Sequence, residues 1–572
     1  MTLLQEGSFE RMFTDDGDPE GPPGGWRITF PDGSRFVWEG FYTGPLTLSV
    51  QELRAIAREL LGHSLDEVSS AAARELRPYV SDGAPVPSIV LHSATPVLRS
   101  MEADLSDAMS RRPPDDVATY VETRAVSLAG PGDLVVGRTH TWKVAADLAG
   151  VEAVTIPGID YYYLSHAILK LAVDSRGRAP QLVRLVERLR EQPRTLVRLY
   201  SLDRETQMVL LYLKRRAGTE VLYTDANSPE IADYWNTKAP LHPTVESALT
   251  LDPGTLDPPE LLAAETALSP LSTRLGLRIA VIPGYTVAAN GPDEAVVTER
   301  FLAAARLLTD RYQLRHGCLK PSEGGAGARI LPWVPLHDEA ELRRLAALTW
   351  RARQVYVLEA QVDYVRRQVG GRTVILAPSG HVRYGHVADG LTLQLTSGTS
   401  WQGNIYLDEA TCGTLGLAAG QCRAMLQTVH DLHDAFTRHG LGLVTAGVDF
   451  AVGRVGGAFG DDVLTAAQDP NLSSHGAEYL RLFLDETRAD GGPAYAATKV
   501  VCPTMRASLP LLRSLEAATT PGRRFKVISS VPGRWGMIAA AAESPVAAAE
   551  EVLACEKALT GQGCLSDSAR RC

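Results

Sequence analysis

Residues 441–476 read LGLVTAGVDFAVGRVGGAFGDDVLTAAQDPNLSSHG, and this stretch decides the fold. Two apolar runs, each containing an acid, are joined by a glycine-rich turn. If the runs pair as antiparallel strands, Asp449, Asp469 and Asn471 converge at one end of the hairpin. Three oxygen ligands on neighbouring strands suit Mg²⁺, which completes its shell with water and phosphate oxygens. The alternative is a surface hairpin with ordinary exposed acids.

The composition excludes several classes of protein. A chain of 572 residues is too long for one core and predicts two to four domains. A net charge of −10 argues against a nucleic-acid surface. No apolar run is long enough to span a membrane, and the acidic N-terminus lacks the pattern of a secretory signal, so the sequence predicts a cytoplasmic protein without a membrane partner. Seven cysteines without a CxxC pair are interpreted as reduced thiols.

The chain divides into four predicted segments, which together predict a multidomain protein of α/β and α+β class. Residues 1–100 form an accessory α+β module, with a hairpin around Pro31 and a helix over 46–61 that Ser49 and Glu52 cap. In residues 101–250 strands alternate with helices, which predicts a Rossmann-like layer without a dinucleotide fingerprint. Residues 251–490 begin at a proline-rich linker. Residues 491–572 form an extension with a strand and an alanine-rich helix.

A second motif lies upstream, in HGCLKPSEGGAGARILPW at residues 316–333. Lys320 ends a predicted strand, and a turn of small residues follows it. Such a turn lets backbone N–H groups close on phosphate oxygens while a nearby lysine supplies positive charge. The alternative is a flexible hairpin tip. The motif is not a P-loop, because it lacks GK[ST] and both flanking elements are strands.

Other chemistry is sparse in the sequence. An apolar strand from Val355 carries Glu359 near its end and Asp363 just beyond it. His430 and His433 lie three apart on a predicted helix, where a solvated or packed face is the usual explanation. No GxSxG elbow is present, and no cysteine has the local pattern of a nucleophile.

Lys320 with its GGAG turn, Glu359 at a strand end, and Asp449 followed by Asp469-Pro470-Asn471 together resemble the ATP-grasp superfamily in order and spacing. The resemblance covers roughly residues 261–490 and implies two α+β subdomains that grip ATP. The α/β segment before it, with Lys238 in WNTK, resembles the pre-ATP-grasp domain of that superfamily. Within the superfamily, the sequence is most similar to actinobacterial peptide-ligase-like members that act on natural products.

The resemblance implies a role for each matched residue. Lys238 and Lys320 would contact the nucleotide phosphates, and the loop at Gly324, Gly325 and Gly327 would close over them. Glu359 would lie near the adenine amino group, with the backbone of Gln361 and Val362 along the adenine edge and Asp363 at the ribose. Asp449, Asp469 and Asn471 would hold two Mg²⁺ ions.

Some positions depart from the family pattern. Relatives often carry arginines where this chain has Gly447 and Ser473, so Arg383 and Arg454 are the nearby basic candidates for neutralising the transferred phosphoryl group. Residues 397–404 resemble the substrate-side loop of the family, with Trp401 where a smaller side chain or a histidine is expected.

The activity that the resemblance implies is an ATP- and Mg²⁺-dependent ligase. It would join a small-molecule carboxylate to an amine (an amino acid or peptide) through an acyl phosphate, releasing ADP and phosphate, in natural-product biosynthesis. No protein nucleophile is required. A small-molecule phosphotransferase and a non-catalytic ATP-binding protein are the alternatives. For the oligomeric state the sequence offers only the general prevalence of dimers.

Overall fold

The computed structural model describes residues 8–12, 25–29, 35–39, 43–44, 46–94, 117–288, 293–323, 330–352, 354–397, 400–504, 507–518 and 524–566. The chain forms two compact units. The first unit comprises residues 1–232, 478–543 and 551–572, and the second comprises residues 233–477 and 544–550. The predicted fold class is confirmed, because a parallel α/β sheet and several antiparallel sheets with helices are all present.

The first unit begins with a three-stranded antiparallel sheet. Its strands are β1 (Ser8–Met12), β2 (Gly25–Thr29) and β3 (Arg35–Glu39), and β2 and β3 form the predicted hairpin. Helix α1 (Val50–Ile56) follows. The Ser49 hydroxyl accepts the Glu52 N–H at 3.2 Å, and the Glu52 carboxylate accepts the Ser49 N–H at 2.7 Å. The predicted capping box is therefore confirmed.

A parallel six-stranded sheet is the centre of this unit. Its strands are β4 (Leu76–Pro78), β5 (Ser88–Leu91), β6 (Leu134–Gly137), β7 (Glu152–Thr155), β8 (Leu196–Leu199) and β9 (Leu222–Thr224), in the order β4-β9-β8-β5-β6-β7. The helices are α2 (Val68–Glu75), α3 (Val117–Ala125), α4 (His140–Ala149), α5 (Leu164–Asp174), α6 (Pro180–Glu191) and α7 (Arg204–Ala217). β5 and β6 are buried throughout, as helix-covered parallel strands are. The strand order reverses between β5 and β8.

The second unit starts with an antiparallel sheet and helices. The strands are β10 (Gly284–Val287), β11 (His316–Pro321), β12 (Leu331–Pro335) and β13 (Tyr356–Ala360), in the order β10-β13-β11-β12. The helices are α8 (Val245–Leu249), α9 (Pro258–Thr266), α10 (Pro270–Leu275), α11 (Glu294–Tyr312) and α12 (Glu339–Ala352). Apolar residues of α11, such as Phe301 and Leu308, share one core with Leu358 of β13.

A larger antiparallel sheet completes the second unit. Its strands are β14 (Asp363–Tyr364), β15 (Arg366–Val369), β16 (Arg372–Ile375), β17 (Pro378–Arg383), β18 (His386–Val387), β19 (Leu391–Ser397), β20 (Ser400–Leu407), β21 (Thr445–Arg454) and β22 (Val463–Asn471), with helix α13 (Ala419–Arg438). The order is β14-β21-β17-β19-β20, with β22 on β21, β18 on β17 and β15–β16 as a separate hairpin. These are the two α+β subdomains that the ATP-grasp resemblance implies.

The chain after residue 476 contributes mainly to the first unit. Its elements are α14 (Ala477–Ala489), β23 (Tyr495–Val501), α15 (Leu509–Ala518), β24 (Arg524–Ser530), β25 (Gly536–Ala542) and α16 (Pro545–Gly561). β25 lies between β23 and β24, antiparallel to both. The alanine-rich helix is present as predicted, and three strands replace the single predicted strand.

The two units cut across the predicted segment boundaries. The boundary at residue 100 falls inside one sheet, because β5 pairs with β6 and β4 pairs with β9. The boundary near 250 lies earlier, at 232, since the Lys238 N–H donates to the Ser322 carbonyl at 3.0 Å. The C-terminal segment is not a separate extension, and its Trp535 ring lies 6.3 Å from the Tyr120 ring of α3. Long-range pairing of this kind leaves no local signal in the sequence.

Two further expectations concern membranes and thiols. Within the described ranges, no helix combines the length and the apolar character that crossing a membrane requires. In the part of the chain that the structure describes, five cysteines are free thiols, namely Cys318, Cys412, Cys422, Cys555 and Cys564. Cys502 is disulfide-bonded, so the interpretation of every cysteine as a reduced thiol is wrong at that residue.

Candidate active site

The hairpin of β21 and β22 brings the three predicted metal ligands together. Asp449 pairs with Asp469, and Gly447 pairs with Asn471. Directly opposed residues point to the same face of a sheet. The Asn471 amide donates from Nδ2 to Asp449 Oδ2 at 2.9 Å. The predicted convergence of the three side chains is therefore observed.

Lys238 lies at the same end of the hairpin. Its Nζ is 3.0 Å from Asp469 Oδ2, and the side chain is buried. The neighbouring Asn236 fixes this segment on β22, because its Oδ1 accepts the Leu472 N–H at 2.7 Å. The structure thus places Lys238 beside the acids, as its predicted contact with phosphate requires.

Strand β17 supports the acidic pair from the other side. Ser379 stands opposite Asp449 and donates its hydroxyl to Asp449 Oδ1. Gln394 of β19 in turn donates from Nε2 to the Ser379 hydroxyl at 3.0 Å. Burial, and next the neighbouring Asp469, raise the pKa of Asp449 to about 6. The hydrogen bonds from Ser379 and Asn471 hold Asp449 in one orientation, although the Asp449 and Asp469 carboxylates then lie close together.

The donor set fits Mg²⁺ better than a softer metal. Two carboxylates and one amide are hard oxygen donors, which Mg²⁺ prefers and which leave positions for water and phosphate oxygens. In the described part of the chain no group of three or more His, Cys, Asp or Glu side chains is arranged to hold a metal, and in the predicted site Asn471 would supply the third ligand. Its amide would turn so that the oxygen faces the ion, and amide orientation is an assignment that a bound ion changes.

A buried ion pair forms the second part of the site. Lys320 of β11 pairs with Glu359 of β13, and the two side chains are 6% and 1% exposed. Burial alone would raise the pKa of Glu359, but Lys320 and His242 outweigh it and hold that pKa at about 2. The attraction of Glu359 also overcomes burial at Lys320 and raises its pKa. Both groups are therefore charged at neutral pH.

Gln468 connects the ion pair to the acidic hairpin. A bulge in β22 lies at this residue, since Asp469 faces Asp449 while Ala467 faces Phe450. The Gln468 side chain donates from Nε2 to Glu359 Oε1 at 3.1 Å and accepts the Tyr364 hydroxyl at 2.5 Å. One residue later the chain presents Asp469. The bulge thus holds the two charged groups of the site in a fixed relation.

The predicted adenine and ribose residues have other contacts. Glu359 points into its ion pair rather than standing alone at the strand end. The Gln361 N–H donates to the His316 carbonyl at 3.2 Å, and its side-chain Nε2 donates to the Val362 carbonyl at 2.9 Å. Asp363 is exposed and lies 3.6 Å from Arg366. Of these four residues, only Glu359 contacts the lysine that was predicted to bind phosphate.

The structure does not place Arg383 or Arg454 beside Asp449. Arg383 pairs with Thr445, four residues from Asp449 along β21, which is roughly 13 Å. Arg454 lies five residues beyond Asp449, roughly 17 Å away, and donates to the Asp461 carbonyl at 3.1 Å. Their role as the groups that neutralise the phosphoryl stays a prediction.

Two histidines that the sequence did not single out stand at that end instead. His381 pairs with Gly447, and its ring stacks on the His475 ring at 4.4 Å between centres. A Cβ at residue 447 would lie 3.4 Å from His381 and 3.5 Å from His475. His381 is buried and its Nε2 lies 2.8 Å from the Thr392 hydroxyl, while His475 is half-buried. The imidazole pair fills the space next to the position where relatives carry an arginine.

Trp401 lies against Gly476, the residue after His475. A Cβ at Gly476 would lie 2.3 Å from the Trp401 ring, so only glycine fits after His475. The indole N–H donates to Asn404 Oδ1 at 3.4 Å. In the predicted substrate-side loop, residues 398–399 lie outside the described residues, as do Gly324, Gly325 and Gly327 of the predicted phosphate loop.

Comparisons with known proteins give distant likenesses. No family model matches the sequence, and no curated protein matches it. Among solved structures, one similar to this chain is an N5-carboxyaminoimidazole ribonucleotide synthetase in complex with ADP, at 12% identity over 84% of this chain and 100% of that one, with a TM-score of 0.43. The N5-carboxyaminoimidazole ribonucleotide synthetase from Thermus thermophilus is 14% identical, and the match covers 76% of this chain and 94% of that one with a TM-score of 0.39. A D-alanyl-alanine synthetase A from Vibrio cholerae is 12% identical, and the match covers 48% of this chain and 66% of that one with a TM-score of 0.29. Because all these TM-scores lie below 0.5, these solved structures do not support a functional argument.

Proposed function

We propose that this chain is an ATP- and Mg²⁺-dependent ligase that joins a carboxylate to an amine through an acyl phosphate and releases ADP and phosphate. One observation carries the proposal. Asp449, hydrogen-bonded by Asn471 and opposed to Asp469, lies in the same unit as two buried lysines, Lys238 and Lys320, and the bulge at Gln468 connects the acids to the Lys320–Glu359 pair. Paired acids for a divalent cation and lysines for phosphate are the groups that phosphoryl transfer from ATP requires.

The acids and lysines have separate tasks in this proposal. Asp449, Asp469 and Asn471 would hold two Mg²⁺ ions, which when bound offset the negative charge of the β- and γ-phosphates. Lys238 and Lys320 would contact phosphate oxygens as point charges. The resemblance assigns closure over the phosphates to Gly324, Gly325 and Gly327, which would exclude water from the acyl phosphate.

The reaction needs no nucleophile from the protein. A substrate carboxylate oxygen attacks the γ-phosphorus, and the bond from that phosphorus to the β-γ bridging oxygen breaks to release ADP. The amine then attacks the carbonyl carbon, the carbon–oxygen bond to phosphate breaks, and the amine proton passes to solvent or phosphate. The protein positions the reactants and balances their charge.

His475 is the proposed contact for the acyl group. It is half-buried beside Gly447, and stacking on His381 fixes its ring. A ring nitrogen there can donate a hydrogen bond to an oxygen that gains charge during transfer. The proposed substrates are a small-molecule carboxylate and an amine, which is an amino acid or a peptide, in natural-product biosynthesis, on the family resemblance alone.

His475→Ala is expected to lower kcat/KM by roughly tenfold to a hundredfold, because it removes one hydrogen bond to developing charge. The melting temperature should change little, since the ring is only half-buried. Steady-state ADP release and a thermal melt check both. His430→Ala, which changes an exposed histidine on α13, is the matched control and should behave as wild type. Full activity in His475→Ala would remove this residue from the site.

A substrate screen tests the proposed function. Purified protein with ATP and Mg²⁺ is offered pairs drawn from a panel of carboxylates, amino acids and peptides, while ADP is measured and products are identified by mass spectrometry. The expected hit releases ADP and contains a new amide. AMP and pyrophosphate would overturn the proposal, and a stable phosphorylated product without an amide would indicate a phosphotransferase.

A further inference from the structure

Helix α3 in the first unit carries two buried charged residues, of which one has an ion-pair partner and the other has none in the described ranges. Its residues from Ala118 to Ala125 are all buried. Glu122 is neutralised by Arg138, whose backbone N–H and Nε donate to the carboxylate at 3.1 Å each. Arg124 is 5% exposed and makes no ion pair with any residue in the described ranges. A buried charge without a counter-ion costs free energy, so a bound anion would stabilise Arg124.

Aromatic rings surround Arg124 without neutralising it. The guanidinium carbon lies 4.9 Å from the ring centre of Tyr120 and 4.5 Å from that of Tyr479. Such contacts stabilise a cation modestly. Burial raises the pKa of both phenols, so both remain protonated and neutral at physiological pH. Their hydroxyl oxygens form no hydrogen bond that the geometry of the described residues supports.

His92 is a second buried polar group whose ring is affected by the charge of Arg124. It follows β5 directly, is 1% exposed, and neither ring nitrogen has a hydrogen-bond partner in the described part of the chain. Burial, then Arg124 and Arg198, lower its pKa to about 3, so the ring is neutral and keeps one N–H donor. Its ring lies 6.1 Å from that of Tyr200, which follows β8.

His92 and Tyr200 stand at a position of the parallel sheet where ligands bind in related architectures. β5 and β8 are neighbours where the strand order reverses, and His92 and Tyr200 stand at their carboxyl ends. Open α/β sheets bind ligands at this point. Asp225, after β9, accepts the Leu199 N–H at 2.8 Å, and burial raises its pKa to about 7.

We propose that Arg124, His92 and the hydroxyls of Tyr120 and Tyr479 form a site for a small oxyanion, the carboxylate or phosphate group of a ligand bound by the first unit. A guanidinium presents a planar fork of donors that matches either group. The imidazole and the phenols supply neutral donors. The site goes beyond the ligase proposal, because its ligand is bound without ATP or Mg²⁺.

Binding of inorganic phosphate and of acetate, measured by calorimetry on the full chain without nucleotide, tests the site. Wild type is expected to bind at least one of them saturably, and the tighter one identifies the class of ligand. Arg124→Met should weaken that binding by roughly tenfold or more, because a charge-assisted contact is lost. Tyr479→Phe, which keeps the ring over Arg124, should weaken it by roughly threefold to tenfold. Arg184→Met changes an exposed ion pair with Glu152 and should match wild type.

Several results would overturn the site. Wild type that binds neither anion contradicts it, and so does unchanged affinity in Arg124→Met and Tyr479→Phe. A loss of melting temperature in Arg124→Met that is equal with and without anion would assign Arg124 to packing alone. If Arg124→Met fails to fold, Tyr479→Phe and His92→Phe decide the question in the same assay. Asp449→Asn should keep anion binding, so this proposal and the ligase proposal fail separately.

Discussion

Asp449→Asn is expected to abolish turnover while the protein remains folded. The substitution keeps the shape of a side chain that faces Asp469 and accepts hydrogen bonds from Ser379 and Asn471. It removes the charge that would hold Mg²⁺ against the phosphates, a contribution of several kcal/mol, so kcat/KM should fall by at least about a thousandfold.

The stability of Asp449→Asn should stay within about 1 kcal/mol of wild type, because two effects oppose each other. One accepting oxygen is lost, but burial and repulsion from Asp469, which raise the pKa of Asp449 to about 6, are relieved. Urea unfolding and ADP release check the two halves of the prediction. Asp462→Asn, which changes an exposed acid in the turn of the same hairpin, should match wild type in both. Near-normal turnover in Asp449→Asn would show that the metal assignment is wrong.

The second large effect is expected at the Lys320–Glu359 pair. Lys320→Met leaves the Glu359 carboxylate buried without its main counter-ion, which should cost about 3–5 kcal/mol of unfolding free energy. Adding Glu359→Leu removes the orphaned charge and should recover most of that loss. Both variants should fail to bind ATP, because the recovered stability does not restore the positive charge.

Urea unfolding and nucleotide titration separate these outcomes. Arg343→Met, which removes an exposed partner of Glu339 on α12, is the matched control and should cost less than about 1 kcal/mol. ATP affinity equal to wild type in Lys320→Met would contradict the role of this lysine. A double variant as unstable as the single one would show that the pair is not the source of the loss.

The same pair predicts a dependence of stability on pH. The pKa of Glu359 is about 2 in the folded protein, below its ordinary value of 4.5. Its contribution is therefore fully present above about pH 4.5 and is lost as the pH falls towards 2. The double variant should lack this part of the acid sensitivity.

The acidic hairpin could be predicted from sequence because it is formed by two strands that are neighbours along the chain. Two strands joined by one turn leave few registers, and an antiparallel register that opposes Asp449 to Asp469 also brings Asn471 close. Lys320 and Glu359 were recognisable for a similar reason, since each stands at the end of a short apolar run. Their direct contact was not, because it depends on how β11 and β13 pair.

The rest of the site depends on contacts between distant segments. His381 and His475 are 94 positions apart in the sequence and meet only because β17 lies beside β21. Lys238 reaches Asp469 because the segment that carries it, from residue 233 onward, belongs to the second unit rather than to the first. Arg383 lies 66 positions before Asp449 and Arg454 lies five positions after it, and both stand several residues along the strands from Asp449.

An isotope experiment tests the central claim most directly. A carboxylate substrate from the screen is labelled with ¹⁸O in its carboxyl group, and the products of one ATP-dependent reaction are analysed by mass spectrometry. An acyl phosphate requires one labelled oxygen to appear in inorganic phosphate, with unlabelled ADP beside it. Label in AMP, or phosphate without label, would contradict the proposed ligase.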